Sequence, residues 1–203
     1  MPRKWWGLLA AAVLLSGSVP ASAEEAVVGQ PAPDFTLYDT AGQSRSPAQA
    51  KGRFLVLEWN NPDCPFVRKH YDSGAMQRLQ RSLTGKGVVW WTINSSAPGK
   101  QGHVTPEQAD AITQARKAAP TAVLLDAMGL VGRRYGAKTT PHLFVINPEG
   151  VVIYAGAIDD RPSADPADLK GATNYVQQAL EEAMAGQPVS VPQTRAYGCS
   201  VKY

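Results

Sequence analysis

The 203-residue chain is poor in cysteine and histidine. Cys64 and Cys199 are its only thiols. That count excludes a disulfide-dense scaffold and any four-thiolate zinc or iron–sulfur site. The three histidines, His70, His103 and His142, are scattered, so no multi-histidine metal centre is expected, and no resident cofactor. Charge is scarce at 18%, with 20 Lys+Arg against 17 Asp+Glu and a net of +3. That balance supplies no basic face for nucleic acid. No apolar run reaches the roughly 18 residues of a membrane span. Phosphate loops and dinucleotide fingerprints are also missing, and Gly129 and Gly132 do not make one. What is present is 44% hydrophobic residues, enough for a packed domain and too many for a disordered chain.

The N-terminus reads as a targeting segment. Arg3 and Lys4 precede an apolar run at Leu8–Leu15, and Ala21-Ser22-Ala23 places small residues at both recognition positions. This is the pattern of a secretory signal cleaved after Ala23. The expected product spans 180 residues with a charge of +1. It would be free of the membrane and secreted, in a bacterium to the periplasm, where disulfides persist.

Beyond it, residues 24–186 read as one domain and residues 187–203 as a tail carrying Cys199. Phe35–Tyr38 is a short strand candidate. Phe54–Trp59 is almost continuously apolar, the mark of a strand buried on both faces. Asn60-Asn61-Pro62-Asp63 is a dense turn signal, and Pro65 suits the first position of a helix. That helix is expected to run through Met76, Leu79 and Leu83 with a bend at Ser73-Gly74. Strands follow at Val88–Ile93, Ala122–Leu125, Leu143–Ile146 and Val151–Tyr154. Between them lie a helix capped at Thr105, a short helix over Gly129–Tyr135, and a hairpin turn at Asn147–Gly150. Asp126, Asp159 and Asp160 read as caps or turn formers. Apolar residues at Tyr175, Val176, Ala179, Leu180, Ala183 and Met184 mark a closing helix. Buried strands alternating with helices predict a three-layer α/β domain with a mixed central sheet.

Cys64 falls at a strand-to-helix junction. Unpaired amides at a helix start stabilise a thiolate, and Arg68 and Lys69 are candidates to add to that effect. Two readings stand side by side. In one, Cys64 is a reactive nucleophile. In the other it forms a static disulfide with Cys199, closing a loop of 135 residues and contributing about 5 kcal/mol in the chain-entropy model.

Three stretches carry a family resemblance: Pro31-Ala32-Pro33-Asp34-Phe35-Thr36-Leu37, Glu58-Trp59 through Cys64-Pro65-Phe66-Val67-Arg68-Lys69-His70-Tyr71, and Thr139-Thr140-Pro141. Together they resemble the peroxiredoxin-like branch of the alkyl hydroperoxide reductase/thiol-specific antioxidant family, within the thioredoxin superfamily. The resemblance implies a thioredoxin-like fold, a cis Thr140–Pro141 bond facing Cys64, and a substrate groove built from Trp59, Pro65, Phe66, Thr140 and Pro141. It also implies an external thiol reductant, such as a thioredoxin-like donor, and a disulfide or hydroperoxide substrate.

Two departures from the family pattern stand out. Val67 occupies the second cysteine position of the thioredoxin C-x-x-C motif. Asn61 and Leu57 stand where a peroxidatic motif has threonine and proline. Cys199 is then the one candidate resolving thiol, on a tail where Gly198 permits close backbone approach. The leading reading is an exported thiol oxidoreductase of antioxidant type. Its alternatives are a thiol peroxidase, a non-catalytic binding module with a structural Cys64–Cys199 bridge, and copper binding by Cys64 with His142.

Overall fold

The computed structural model describes Met1 and residues 25–203; the signal-segment reading otherwise lies outside the described residues. Nine strands and five α-helices are assigned among them. In chain order they are β1 (Leu37–Asp39), β2 (Ser44–Arg45), β3 (Leu55–Trp59), α1 (Pro65–Asp72), α2 (Ala75–Thr84), β4 (Val89–Asn94), α3 (Pro106–Ala115) and β5 (Ala122–Leu125). Then come α4 (Leu130–Arg134), β6 (Thr139–Thr140), β7 (His142–Ile146), β8 (Val152–Gly156), α5 (Tyr175–Met184) and β9 (Cys199–Ser200). The main sheet has seven strands in the order β2-β1-β5-β4-β3-β7-β8. β3, β4 and β5 are parallel, whereas β1, β7 and β8 join antiparallel. The mixed α/β architecture expected from the sequence is the one found.

β3 is central, and all five of its residues are buried. Its side chains alternate between faces. Leu55, Leu57 and Trp59 enter one core with Trp91, Ile93 and Phe144, closed by Val131 of α4 and by Tyr135, which caps its end. Val56 enters the other with Trp90, Leu143 and Val145, covered by α1, α2 and α5. A nearly continuous apolar run, broken here only by Glu58, is thus what a strand sandwiched between two helical layers requires.

The helix after Cys64 divides as the bend implied. Gly74 has φ 73°, a left-handed conformation, and separates α1 from α2. The first strand is shifted from its expected place: it is Leu37–Asp39, while Phe35 precedes it as a core residue packed edge-on against Trp91 and Tyr135. An apolar side chain marks burial, not ladder hydrogen bonds, so that boundary slips. The pair β6–β9, in which the tail forms a strand with the chain before Pro141, has no counterpart in the sequence-based expectation. Among the described residues no helix is long and apolar enough to cross a membrane.

Candidate active site

At the carboxyl end of β3 the chain turns through Asn61. The Asn61 side-chain oxygen accepts from the Asp63 amide at 2.9 Å, and its carbonyl accepts from the Cys64 amide at 3.1 Å. Its side-chain amide donates to Gln101 O at 3.2 Å. Gly102 lies against this amide with φ +80°, and a Cβ there would sit 2.0 Å from Asn61 Oδ1. The turn delivers Cys64 as the N-cap of α1. It has extended backbone angles, and its carbonyl accepts the first helical bond from Arg68 at 2.9 Å. Pro65 at the first helical position needs no amide partner.

Thr140 and Pro141 are joined by a cis bond. The Cys64 thiol donates to Thr140 O at 3.0 Å, so this loop faces the cysteine. The tail completes the site. β9 runs antiparallel to β6, with Cys199 opposite Thr140. Gly198 approaches so closely that a Cβ would lie 2.0 Å from Thr140 O. Both cysteines are unbridged thiols, and Cys64 has 0% exposure.

The two thiols are close enough to share a hydrogen bond, and their acidities move apart. Burial pushes Cys64 up. Donors around its sulfur, the Cys199 thiol, the Thr140 hydroxyl and the Cys199 and Val67 amides, favour the anion and outweigh that, so its pKa falls below the ordinary thiol value. The Thr140 hydroxyl oxygen is buried and has no hydrogen-bond partner, which leaves it free to donate to a sulfur anion. Cys199 is pushed up to about 11, by burial first and then by the neighbouring Cys64 sulfur. The opposed shifts favour loss of the proton at Cys64 over Cys199. A thiolate nucleophile with a protonated thiol beside it is the arrangement that thiol–disulfide exchange uses.

Not every expected residue joins this site. Trp59 is fully buried in the opposite core, tilted against Tyr135 at 5.3 Å and donating to Ser95 Oγ at 3.1 Å. It does not line a groove, because β3 alternation turns it away from the Cys64 face. Arg68 is exposed and pairs with Asp72 at 3.3 Å. Lys69 is buried and faces Asp159 at 3.4 Å. Neither contributes to the lowering at Cys64, which comes from hydrogen bonds. His142 stacks on Phe144 at 4.6 Å in the Trp59 layer, so it does not pair with Cys64 to hold copper. Among the described residues no group of three or more His, Cys, Asp or Glu is arranged to hold a metal ion. Pro65 is exposed and Phe66 half-buried beside the tail, its ring 5.9 Å from that of Tyr197.

Two features went unread in the sequence. Glu58 is completely buried, and its carboxyl accepts from Asn60 and Tyr71 at 2.8 Å, Trp90 at 2.8 Å, Thr92 at 3.2 Å and Gln80 at 3.3 Å. A carboxyl inside an apolar strand run was the available signal. The second is the contact of Tyr197 with Asp159 and Lys69, which no local pattern announces.

Residues 28–155 match the AhpC/TSA family. The chain belongs to that family. Among solved structures it is similar to a hypothetical protein from Sinorhizobium meliloti 1021, at 27% identity and TM-score 0.73, covering 89% of this chain and 96% of that one. An uncharacterized conserved protein from Geobacillus kaustophilus is also similar, at 25% identity and TM-score 0.76, covering 87% and 92%. A putative thiol:disulfide interchange protein DsbE from Chlorobium tepidum shares the fold at 22% identity and TM-score 0.57, covering 79% and 99%. No curated protein matches the chain in sequence. The redoxin fold, of the thioredoxin superfamily, thus has its two cysteines side by side at the carboxyl end of the sheet.

Proposed function

We propose that this redoxin is an exported thiol–disulfide oxidoreductase with Cys64 as nucleophile and Cys199 as resolving thiol. The observation that carries the reading is the pair of neighbouring thiols with opposed acidities, set against the cis-proline loop. The Cys64 thiolate attacks one sulfur of a substrate disulfide. That S–S bond breaks, one substrate thiolate leaves and takes a proton, and a mixed disulfide forms. Cys199 then loses its proton and attacks the Cys64 sulfur, releasing the second substrate thiol. The substrate disulfide gains two electrons and the Cys64–Cys199 bridge holds the oxidised equivalent. An external thiol reductant of thioredoxin type returns the pair to thiols. Export rests on Arg3, Lys4, the Leu8–Leu15 run and Ala21-Ser22-Ala23. Thr140, Pro141, Pro65 and Phe66 border the approach to the thiol.

A disulfide substrate is favoured over a hydroperoxide because Asn61 stands where the peroxidatic motif has threonine, and its side chain is engaged in the turn. Reduced wild type, Cys64→Ser and Cys199→Ser, each exposed to oxidised glutathione and read by intact mass, test this. The expected results are an internal bridge in wild type, a glutathione adduct trapped at Cys64 in Cys199→Ser, and no reaction in Cys64→Ser. Equal reaction of Cys64→Ser and wild type overturns the reading. A parallel hydrogen peroxide arm that oxidises Cys64 far faster than free cysteine while glutathione leaves it untouched replaces it with the peroxidase. A bridge that neither forms reversibly nor yields to a dithiol assigns the pair a structural role.

A further inference from the structure

We infer that Tyr197 and Asp159, with Lys69, are positioning residues: they latch the C-terminal segment over Cys64 and set Cys199 in register with it. This rests on the proposed resolving role of Cys199 for its redox half only.

Three elements converge at the latch. Tyr197 lies two residues before Cys199 in the tail, and its phenol donates to the Asp159 carboxylate in the loop after β8. Lys69 comes from α1, the helix that Cys64 caps. Its ammonium lies 3.4 Å from Asp159 Oδ2 and 3.4 Å from the Tyr197 hydroxyl, and it donates to Arg161 O at 2.7 Å. The same ammonium stands 5.5 Å from the Tyr197 ring centroid, and Phe66 meets that ring edge-on. The helix that presents the nucleophile therefore grips the tail just ahead of the second thiol.

The linkage from latch to thiol has little slack. Only Gly198 separates Tyr197 from Cys199, at φ +132° and in contact with Thr140 O. Thr140 is the residue whose carbonyl accepts from Cys64 and whose strand partner is Cys199. Fixing Tyr197 thus fixes which residue lies opposite Thr140. Beyond Cys199 the tail is held by backbone bonds alone until Tyr203: Ser200 pairs with Thr139, and the Val201 amide donates to Lys138 O at 3.1 Å. The other side-chain anchors lie farther along it: Thr194, bonded to Tyr154 at 2.7 Å and to the Ala157 amide at 2.9 Å, and Tyr203, donating to Ala137 O at 2.6 Å.

Charge burial makes a latch the better account than plain packing. The Lys69 and Asp159 side chains are 0% and 2% exposed. Such a pair loses much hydration and adds little net stability over an apolar replacement, while it demands one geometry. Where the fold needs only a filled space, leucines would suffice; where it needs one register, a directed phenol-to-carboxylate bond supplies it.

Two measurements on the full chain test the latch. In the Cys199→Ser background, where no bridge forms, iodoacetamide alkylation of Cys64 is followed with and without Tyr197→Phe. The ring and its Phe66 contact remain, and only the hydroxyl is lost. Acceleration of at least about tenfold is expected, because covering fails when the latch opens. With both cysteines present, glutathione titration gives the effective concentration of Cys199 at Cys64. Tyr197→Phe is expected to lower it about tenfold, which is a rise of about 30 mV for a two-electron couple. Asp159→Asn should move both readouts the same way. Tyr203→Phe, at the far anchor, should move them less. Gly198→Ala, whose new methyl collides with Thr140 O, marks the fully undocked limit. Alkylation within twofold of the parent in both Tyr197→Phe and Asp159→Asn overturns the latch. Should wild type form no bridge at all, the oxidoreductase reading fails, and the alkylation result still decides the latch.

Discussion

At the scale of single residues, the proposed chemistry rests on which of two thiols ionises. The Cys199 side chain and amide face the Cys64 sulfur, and they are among the main causes that lower the Cys64 pKa. Removing the side-chain donor leaves burial, which favours the neutral thiol, less opposed. Cys199→Ala is therefore expected to move the pH midpoint of Cys64 alkylation upward from a wild-type midpoint below the free-thiol value. Rates of iodoacetamide reaction between pH 5 and pH 10 give the midpoint separately from the amplitude, which reports access. A midpoint that stays or falls would place the lowering in the α1 amides instead. The place of Cys64 at a helix start was readable before folding, since a cysteine beside proline after an apolar strand is a local signal. Its hydrogen-bond partners were not, because Thr140 and Cys199 are 76 and 135 residues away along the chain.

At the scale of elements, Glu58 ties four of them together. Tyr71 belongs to α1, Gln80 to α2, and Trp90 and Thr92 to β4, and all donate to the one carboxyl on β3. Burial and the nearby Glu58 carboxyl together hold the Tyr71 phenol well above its ordinary pKa. Deleting the acceptor strands several buried donors at a cost of about 1–3 kcal/mol for each one left unsatisfied. Glu58→Ala should lose about 3–5 kcal/mol of unfolding free energy, measured by urea denaturation of the reduced protein. A loss below about 1 kcal/mol would mean that water replaces the carboxyl. The strands themselves were largely visible in the sequence. β5 lies where it was expected, and so does the closing helix α5. β6 and β9 were not visible, since two-residue strands have no period and exist only through each other.

For the molecule as a whole, two histidines set an acid limit. Burial, set against Asp159 and joined by Lys69, brings His70 down to about 4. Burial, with Lys138, brings partly buried His142 down to about 4 as well. Above the ordinary value of 6.5 both imidazoles are neutral folded and unfolded, and stability is complete. Between 6.5 and about 4 the unfolded chain takes up protons that the folded chain refuses, so stability falls with pH. The slope is up to about 1.4 kcal/mol per pH unit for His70. It is smaller for His142, which solvent partly screens. Thermal melts from pH 7.5 to pH 4.5 should show the decline, and His70→Gln should flatten it. An unchanged slope in that variant would move the acid sensitivity elsewhere.

The alternation of apolar strands with capped helices, and the thiol at a strand-to-helix turn, were written in the order of residues. Both follow from local forces: burial sets the periodicity, and backbone geometry sets the caps and turns. Folding decided everything that depends on distance along the chain. It turned Trp59 into the far core, spent Arg68 on a surface pair and drew Lys69 to Asp159. Above all it laid the last residues across the cis-proline loop. Composition counted two cysteines and excluded clusters; only the strand register between Thr140 and Cys199 made them a pair, because hydrogen bonds between distant segments have no trace in local sequence.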